Sequence, residues 1–155
     1  MQLRGETQIA APRQRVWDVL TDPHQVAACA PGDPAVEVLD ERLIRISVEV
    51  RNLFFRTTVT IDLQLDEMAP PSRATGRASG NVMGGSVSAI GSLALEELGP
   101  AVTAVAWEAE VALGGMLAGF AGMAEQPAGE AMERTLACLK ARLEGEAAGS
   151  TAPAG

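Results

Sequence analysis

Between residues 42 and 66 the chain alternates apolar and polar residues with period two over a length that leaves one solution. "RLIRISVEVR" puts Ile44, Ile46, Val48 and Val50 on one side and Arg45, Ser47, Glu49 and Arg51 on the other. "FRTTVTIDLQLD" repeats the pattern with Phe55, Thr57, Val59, Ile61, Leu63 and Leu65 on one face. Only an extended strand sorts such a sequence into two faces; a helix would scatter the apolar residues around its circumference. Long alternating strands with one polar face imply an antiparallel sheet that is wet on one side. Something else in the chain must cover the other side.

The remaining segments supply the cover. "MQLRGETQIA" alternates Leu3, Thr7 and Ile9 against Arg4, Glu6 and Gln8 and reads as a first strand. "APRQRVWDVL" offers Pro12 at a helix start and Val16, Trp17 and Leu20 at helical spacing. "DPHQVAACAPG" has Asp22 as N-cap, Pro23 in the first turn and Pro31-Gly32 as a stop, which predicts a second helix of about two turns. After Pro70-Pro71 come a weaker strand, "RATGRASG", a stronger one, "GSVSAIGSLALEEL", and "AVTAVAWEAEVALG", with Val105, Trp107, Ala109, Val111 and Leu113 on one face. A sheet of about seven strands can curve around one core. Beyond Gly115 the period changes, and Met132, Leu136, Leu139 and Leu143 form one helical stripe. The class is α+β, with one domain over 1–145. The segment 146–155 has no apolar residue larger than alanine and is expected to be a disordered tail.

Composition narrows the partners. A chain of 155 residues is one ordinary domain, able to hold a real core. Its net charge of -8 and single lysine, Lys140, argue against nucleic acid, which demands clustered basic residues. No signal-peptide core and no run of about 20 apolar residues stands out, so the chain reads as cytoplasmic. One histidine and two cysteines provide no metal knuckle, and cysteines so far apart are read as free thiols.

His24 and Cys29 both lie in "TDPHQVAACAPGDP" and raise the question of a thiol with its base. Five residues apart on one helix, their side chains diverge by roughly 140°, so a local dyad is not expected. Buried cysteine behaves as a small hydrophobe, and Cys29 is read as a packing or pocket-lining residue.

Strand, two short helices, a run of antiparallel strands and a long closing helix is the order of the START-like helix-grip fold. The chain resembles the SRPBCC superfamily and, within it, the CoxG-like family, named for a carbon monoxide dehydrogenase subunit. The resemblance is carried by "PRQRVWDVLTDPHQVAACAPG", then by "TGRASGN", "GSLALEE" and "LGGMLA". It covers about residues 2 to 144. It departs at Pro127, which would interrupt a helix that looks continuous in relatives, and in a short tail. The resemblance implies an accessory protein of molybdenum hydroxylases such as CO dehydrogenase, serving maturation, membrane recruitment or quinone delivery. It also implies a position peripheral to the inner face of the membrane.

The residues themselves add a census of the expected interior. Its inward positions are almost all Ile, Val and Leu, with Thr57 and Thr103 as polar interruptions and no carboxylate or lysine. General acid–base catalysis needs a titratable group at the reacting atom. Arg77 could supply one only if its strand pairs in the other register. "LGGMLAGFAGMA" has no charge over residues 113 to 124 and holds four glycines, while Pro127 removes a helical hydrogen bond. "GNVMGG" at 80–85 is expected to be a flexible loop facing it. A hydrophobic cavity with a loose apolar rim follows. Its expected lining is Trp17, Cys29, Ile46, Val48, Phe55, Thr57, Val59, Ile61, Met83, Thr103, Trp107, Met116, Leu117 and Phe120. The expected ligand is menaquinone or another lipophilic molecule, and no catalytic or metal residue is expected. Two alternatives stand beside this non-enzymatic carrier. One is a polyketide cyclase or dehydratase-like enzyme of the same superfamily; the other is an interaction protein with a solid core.

Overall fold

The computed structural model describes residues 1–51, 56–82 and 84–150, with the side chains of residue 50 and of residues 148–150 left aside. The elements are β1 (Gln2–Ile9), α1 (Arg13–Leu20), α2 (Pro23–Cys29), β2 (Ala35–Asp40), β3 (Leu43–Arg51), β4 (Arg56–Ala69), β5 (Arg73–Val82), β6 (Gly85–Gly99), β7 (Val102–Gly115), a 3-10 turn (Ala118–Phe120) and α3 (Ala121–Ser150). The described strands form one sheet in the order β1-β7-β6-β5-β4-β3-β2, every pair antiparallel. Each strand from β2 to β7 lies beside its sequence neighbour, and β1 closes the far edge against β7. The topology is that of the helix-grip fold, with α1 and α2 inserted after the first strand and α3 lying over the sheet.

The strand at 35–40 is the one whose pattern is least readable. Val36 and Val38 pair with Ile46 and Ile44, but a register shift between Val38 and Asp40 spoils the alternation within six residues.

Register shows why one face is apolar. Ile44, Leu63, Ala78, Ala89 and Val111 form one row across β3 to β7, and Ile46, Ile61, Gly80, Val87 and Leu113 form the next. The intervening row is Arg45, Asp62, Ser79, Ser88 and Ala112, on the outer face. There Arg45 holds Asp62 in a two-point ion pair at 2.8 and 3.3 Å. The guanidinium's hydrogen bond lowers the Asp62 carboxyl below its ordinary pKa, and the carboxylate raises that of Arg45.

The inner face is packed at one end. Ile9, Val16, Trp17, Val19, Leu95, Val105, Leu139 and Leu143 form a buried cluster joining β1, α1, β6, β7 and the second half of α3. Each such side chain contributes roughly 1.5–3 kcal/mol by leaving water. The helix α3 packs on β1, α1 and α2.

Pro127 lies inside α3, where it removes one bond of an otherwise continuous helix. One expectation about α3 is corrected: the helix runs to Ser150, past the expected boundary at 145. Composition gives no sign of the contacts responsible. Ala147 packs against the core cluster, Arg15 grips Glu146 at 2.7 and 3.1 Å, and Glu144 accepts the Ala10 amide at 2.9 Å. Residues 151–155 lie outside the described residues. Among the described residues no helix is long and apolar enough to cross a membrane.

Candidate ligand-binding trough

Away from the packed cluster the inner face changes character. Its middle is floored by small residues of neighbouring strands: Gly76 pairs with Gly91, Ala78 with Ala89, and Gly91 with Ala109. Ile46, Ile61, Leu63, Ala78, Ala89, Val111 and Leu113 all point inward by register yet remain only half-buried. Solvent therefore reaches them. This partly uncovered stretch of the inner face, from β3 to β7, is the candidate trough.

The rim is apolar and little covered. Met116 is 73% exposed, Phe120 51% and Met123 74%. Gly84 and Gly85 lie against this rim. Gly84 has φ +80°, and a Cβ there would lie 2.9 Å from the Met116 sulfur; one on Gly85 would lie 2.5 Å from Leu117 Cγ. The positive φ of Gly84 and the close approach at Gly85 call for glycine at both. Residues 80–82 belong to β5 and Gly85 opens β6, so the connection is shorter than the 80–85 loop expected.

The candidate lining residues divide. Ile46, Val48, Thr57, Val59 and Ile61 lie on the inward rows of β3 and β4, Val59 being buried and the others half-buried. Leu117 is half-buried on the rim beside exposed Met116 and Phe120. Trp107 stands at the border between cluster and trough. Trp17 is elsewhere, sealed in the packed cluster. Thr103 is fully buried, and its hydroxyl donates to the Ala11 carbonyl at 2.8 Å, so its proton is committed. Phe55 and Met83 lie outside the described residues.

Cys29 is neither free nor a trough residue. It forms a disulfide with Cys138, with Cα atoms 5.6 Å apart, stapling α2 to α3. The reading of two free thiols is thus corrected: 109 residues of separation hide a contact created by helix packing. The staple matters locally because no residue of α2 is buried. His24 is exposed, and its backbone N–H donates to Asp22 at 3.0 Å. Arg77 faces outward and pairs with Asp66 at 2.9 and 3.0 Å, which raises its pKa through that hydrogen bond.

The inner face carries little that could do acid–base chemistry. The buried polar residues among those described are Thr103 and Thr135, and the latter's hydroxyl donates to the Ala131 carbonyl at 2.8 Å. No group of metal-ligating side chains occurs among the described residues. Two shallow depressions, of about 600 and 410 Å³, lie on the sheet's outer face. The larger is floored by the Arg45–Asp62 pair with Thr60, Ser79, Asn81, Ser86 and Ser88.

Residues 5–144 match the family model of CoxG, a carbon monoxide dehydrogenase subunit. The chain belongs to the CoxG family. Its fold is shared with proteins of low sequence identity. A conserved protein from Geobacillus kaustophilus superposes with a TM-score of 0.81 at 16% identity, covering 92% of this chain and 95% of its own. A START superfamily protein from Mycobacterium smegmatis gives 0.71 at 14%, covering 92% and 97%. The Zhui aromatase/cyclase from Streptomyces sp. R1128 gives 0.63 at 17%, covering 100% and 98%. No curated protein matches the chain.

Three features of this region escape sequence reasoning. Cys138 lies on the closing helix beside its apolar stripe, without any signal of its partner. The small-residue floor is visible as "RATGRASG", but the pattern there says only that the strand is weak. Gly5, in "LRGET", is the residue over which the Trp107 ring lies, and its signal is a glycine inside an otherwise regular strand.

Proposed function

We propose that this CoxG-family protein is a non-enzymatic accessory of a molybdenum hydroxylase of the CO dehydrogenase type, which carries a quinone in the trough between membrane and enzyme. The supporting observation is the half-exposed, uncharged row from Ile46 and Ile61 to Val111 and Leu113. Water-exposed Ile, Leu and Val surface inside a concave face is unfavourable until an apolar molecule covers it, at about 25 cal/mol per Å² before association costs. A charged substrate would need an internal counter-charge, and no charged residue of those described is buried. Family membership supports the partner class. The same fold occurs in an aromatase/cyclase, but an enzymatic reading needs a titratable group in the trough.

The exposed Met and Phe side chains of the rim suit transient contact with lipid, where flexible methionines adapt to irregular surfaces. The test mixes purified protein with menaquinone-containing liposomes and measures quinone in the recovered protein. Ile61→Trp should fill the trough and abolish uptake that wild type shows. Equal uptake by both would exclude the trough as the site.

A further inference from the structure

We infer that the indole N–H of Trp107 is a specificity-determining donor, which makes the trough prefer a ligand with a neutral acceptor oxygen, such as a carbonyl, over a hydrocarbon of the same shape. The inference rests on the carrier reading and sharpens its ligand class.

Trp107 points to the concave side of β7 and is 7% exposed. Its ring lies across the adjacent edge strand. A Cβ on Gly5 would lie 2.7 Å from Nε1, 2.9 Å from Cε2 and 3.0 Å from Cζ2. Any larger residue at position 5 would displace the ring, so glycine there fixes where the N–H stands. The buried threonines spend their donors on backbone carbonyls, Thr103 on Ala11 and Thr135 on Ala131. The hydrogen bonds of the described residues include none from the Trp107 indole. No described side-chain nitrogen or oxygen that is sealed from solvent lacks a partner. The Trp107 N–H is therefore not sealed from solvent.

An indole nitrogen only donates, so it rewards an acceptor and nothing else. With no charged group buried beside it, the acceptor that fits is neutral: a carboxylate would have to shed its hydration without a counter-charge. A hydrocarbon filling the same space would leave the donor unmade, which is costly for a largely buried group.

The two tryptophans make this measurable, because Trp17 belongs to the packed cluster and serves as an internal reference. The full chain, labelled with nitrogen-15, gives two indole signals, assigned with Trp17→Phe. It is titrated with a short-tailed naphthoquinone and with the matching naphthalene that lacks both oxygens. The quinone should move the Trp107 indole proton downfield and leave Trp17 in place, while the naphthalene binds roughly tenfold more weakly without that shift. Trp107→Phe, which keeps a ring, should erase the tenfold preference and spare naphthalene binding. A quinone that binds without moving the Trp107 signal overturns the inference and places that N–H in water at the β1 edge. Equal weakening of both ligands in Trp107→Phe also overturns it, reducing Trp107 to packing. If wild type binds neither compound, the carrier reading fails and this one falls with it, an outcome distinguished by the absence of any titration.

Discussion

The two halves of α3 meet opposite fates. In the second half Leu139 and Leu143 are each 1% exposed, locked among Ile9, Val16 and Val105, with a disulfide one residue before Leu139. In the first half Met123 is 74% exposed and Pro127 interrupts the hydrogen-bond ladder. The lesson is a division of labour within one domain. The closed end supplies the stability, and the open end is free to leave apolar surface uncovered, which a ligand site requires and a fold does not.

The largest effect that could break this contrast is a cavity at the closed end. Leu139→Ala should cost about 2–5 kcal/mol in urea unfolding, whereas Met123→Ala should stay within about 0.5 kcal/mol, as exposed substitutions do. Similar costs would mean that the two halves are equally packed. Next comes the staple. Replacing Cys138 with serine, or reducing the bond, should cost about 2–4 kcal/mol, as removal of a native bridge closing a long loop does. Since α2 buries no residue, hydrogen exchange should accelerate across 23–29 before it does at Leu139. Uniform acceleration would show that the bridge holds the whole domain together and not α2 alone.

How much of this is legible in the sequence follows the same division. Regular alternation announces β3, β4 and β7, because strand register repeats every two residues and survives in sequence. The Pro12 start of α1 and the Asp22 cap of α2 are local as well. What escapes are contacts made across long separations: Cys29 with Cys138, Arg15 with Glu146, and Trp107 over Gly5. Each depends on how α3 or β1 lies against the body, which no window of sequence encodes. The inward residues of β3 and β4 are readable as a face, but whether that face is filled or open depends on how α3 lies over it. Trp17 and Thr103 therefore read as part of a lining that they do not join.

Pro127 gives a smaller, sharper probe of the open half. It cannot donate to the Met123 carbonyl, so the helix is continuous there without one of its bonds. Pro127→Ala should restore that bond and slow hydrogen exchange over residues 121–126 by roughly tenfold or more, given the approximately 3 kcal/mol that proline costs inside a helix. Exchange at Leu139 and Leu143 should not change. Unaltered protection in the first half would mean that packing, and not the ladder, already limits its opening.

The smallest effect concerns the end of the molecule where α2 begins. Asp22 caps this helix by accepting the His24 amide at 3.0 Å, and its other oxygen accepts from the Gln25 side chain at 3.0 Å. The Gln25 hydrogen bond is the main reason that its carboxyl falls below the ordinary value of 3.8, opposed in part by desolvation. With the folded pKa depressed, the cap's contribution is complete above 3.8 and is lost as pH falls through the lower folded value. Between about pH 5 and 8, Asp22 should therefore add no pH dependence to stability. Asp22→Ala should cost about 0.5–2 kcal/mol at pH 7, nearer the lower figure because the cap is solvent-accessible. Asp22→Asn should keep most of the cap and remove its acid sensitivity, so wild type and variant should converge as pH is lowered below 3.8. Urea unfolding of the two proteins at pH 7 and pH 3 checks this. A gap that widens toward pH 3 would show that the carboxylate is not held by Gln25 and His24 in the folded state.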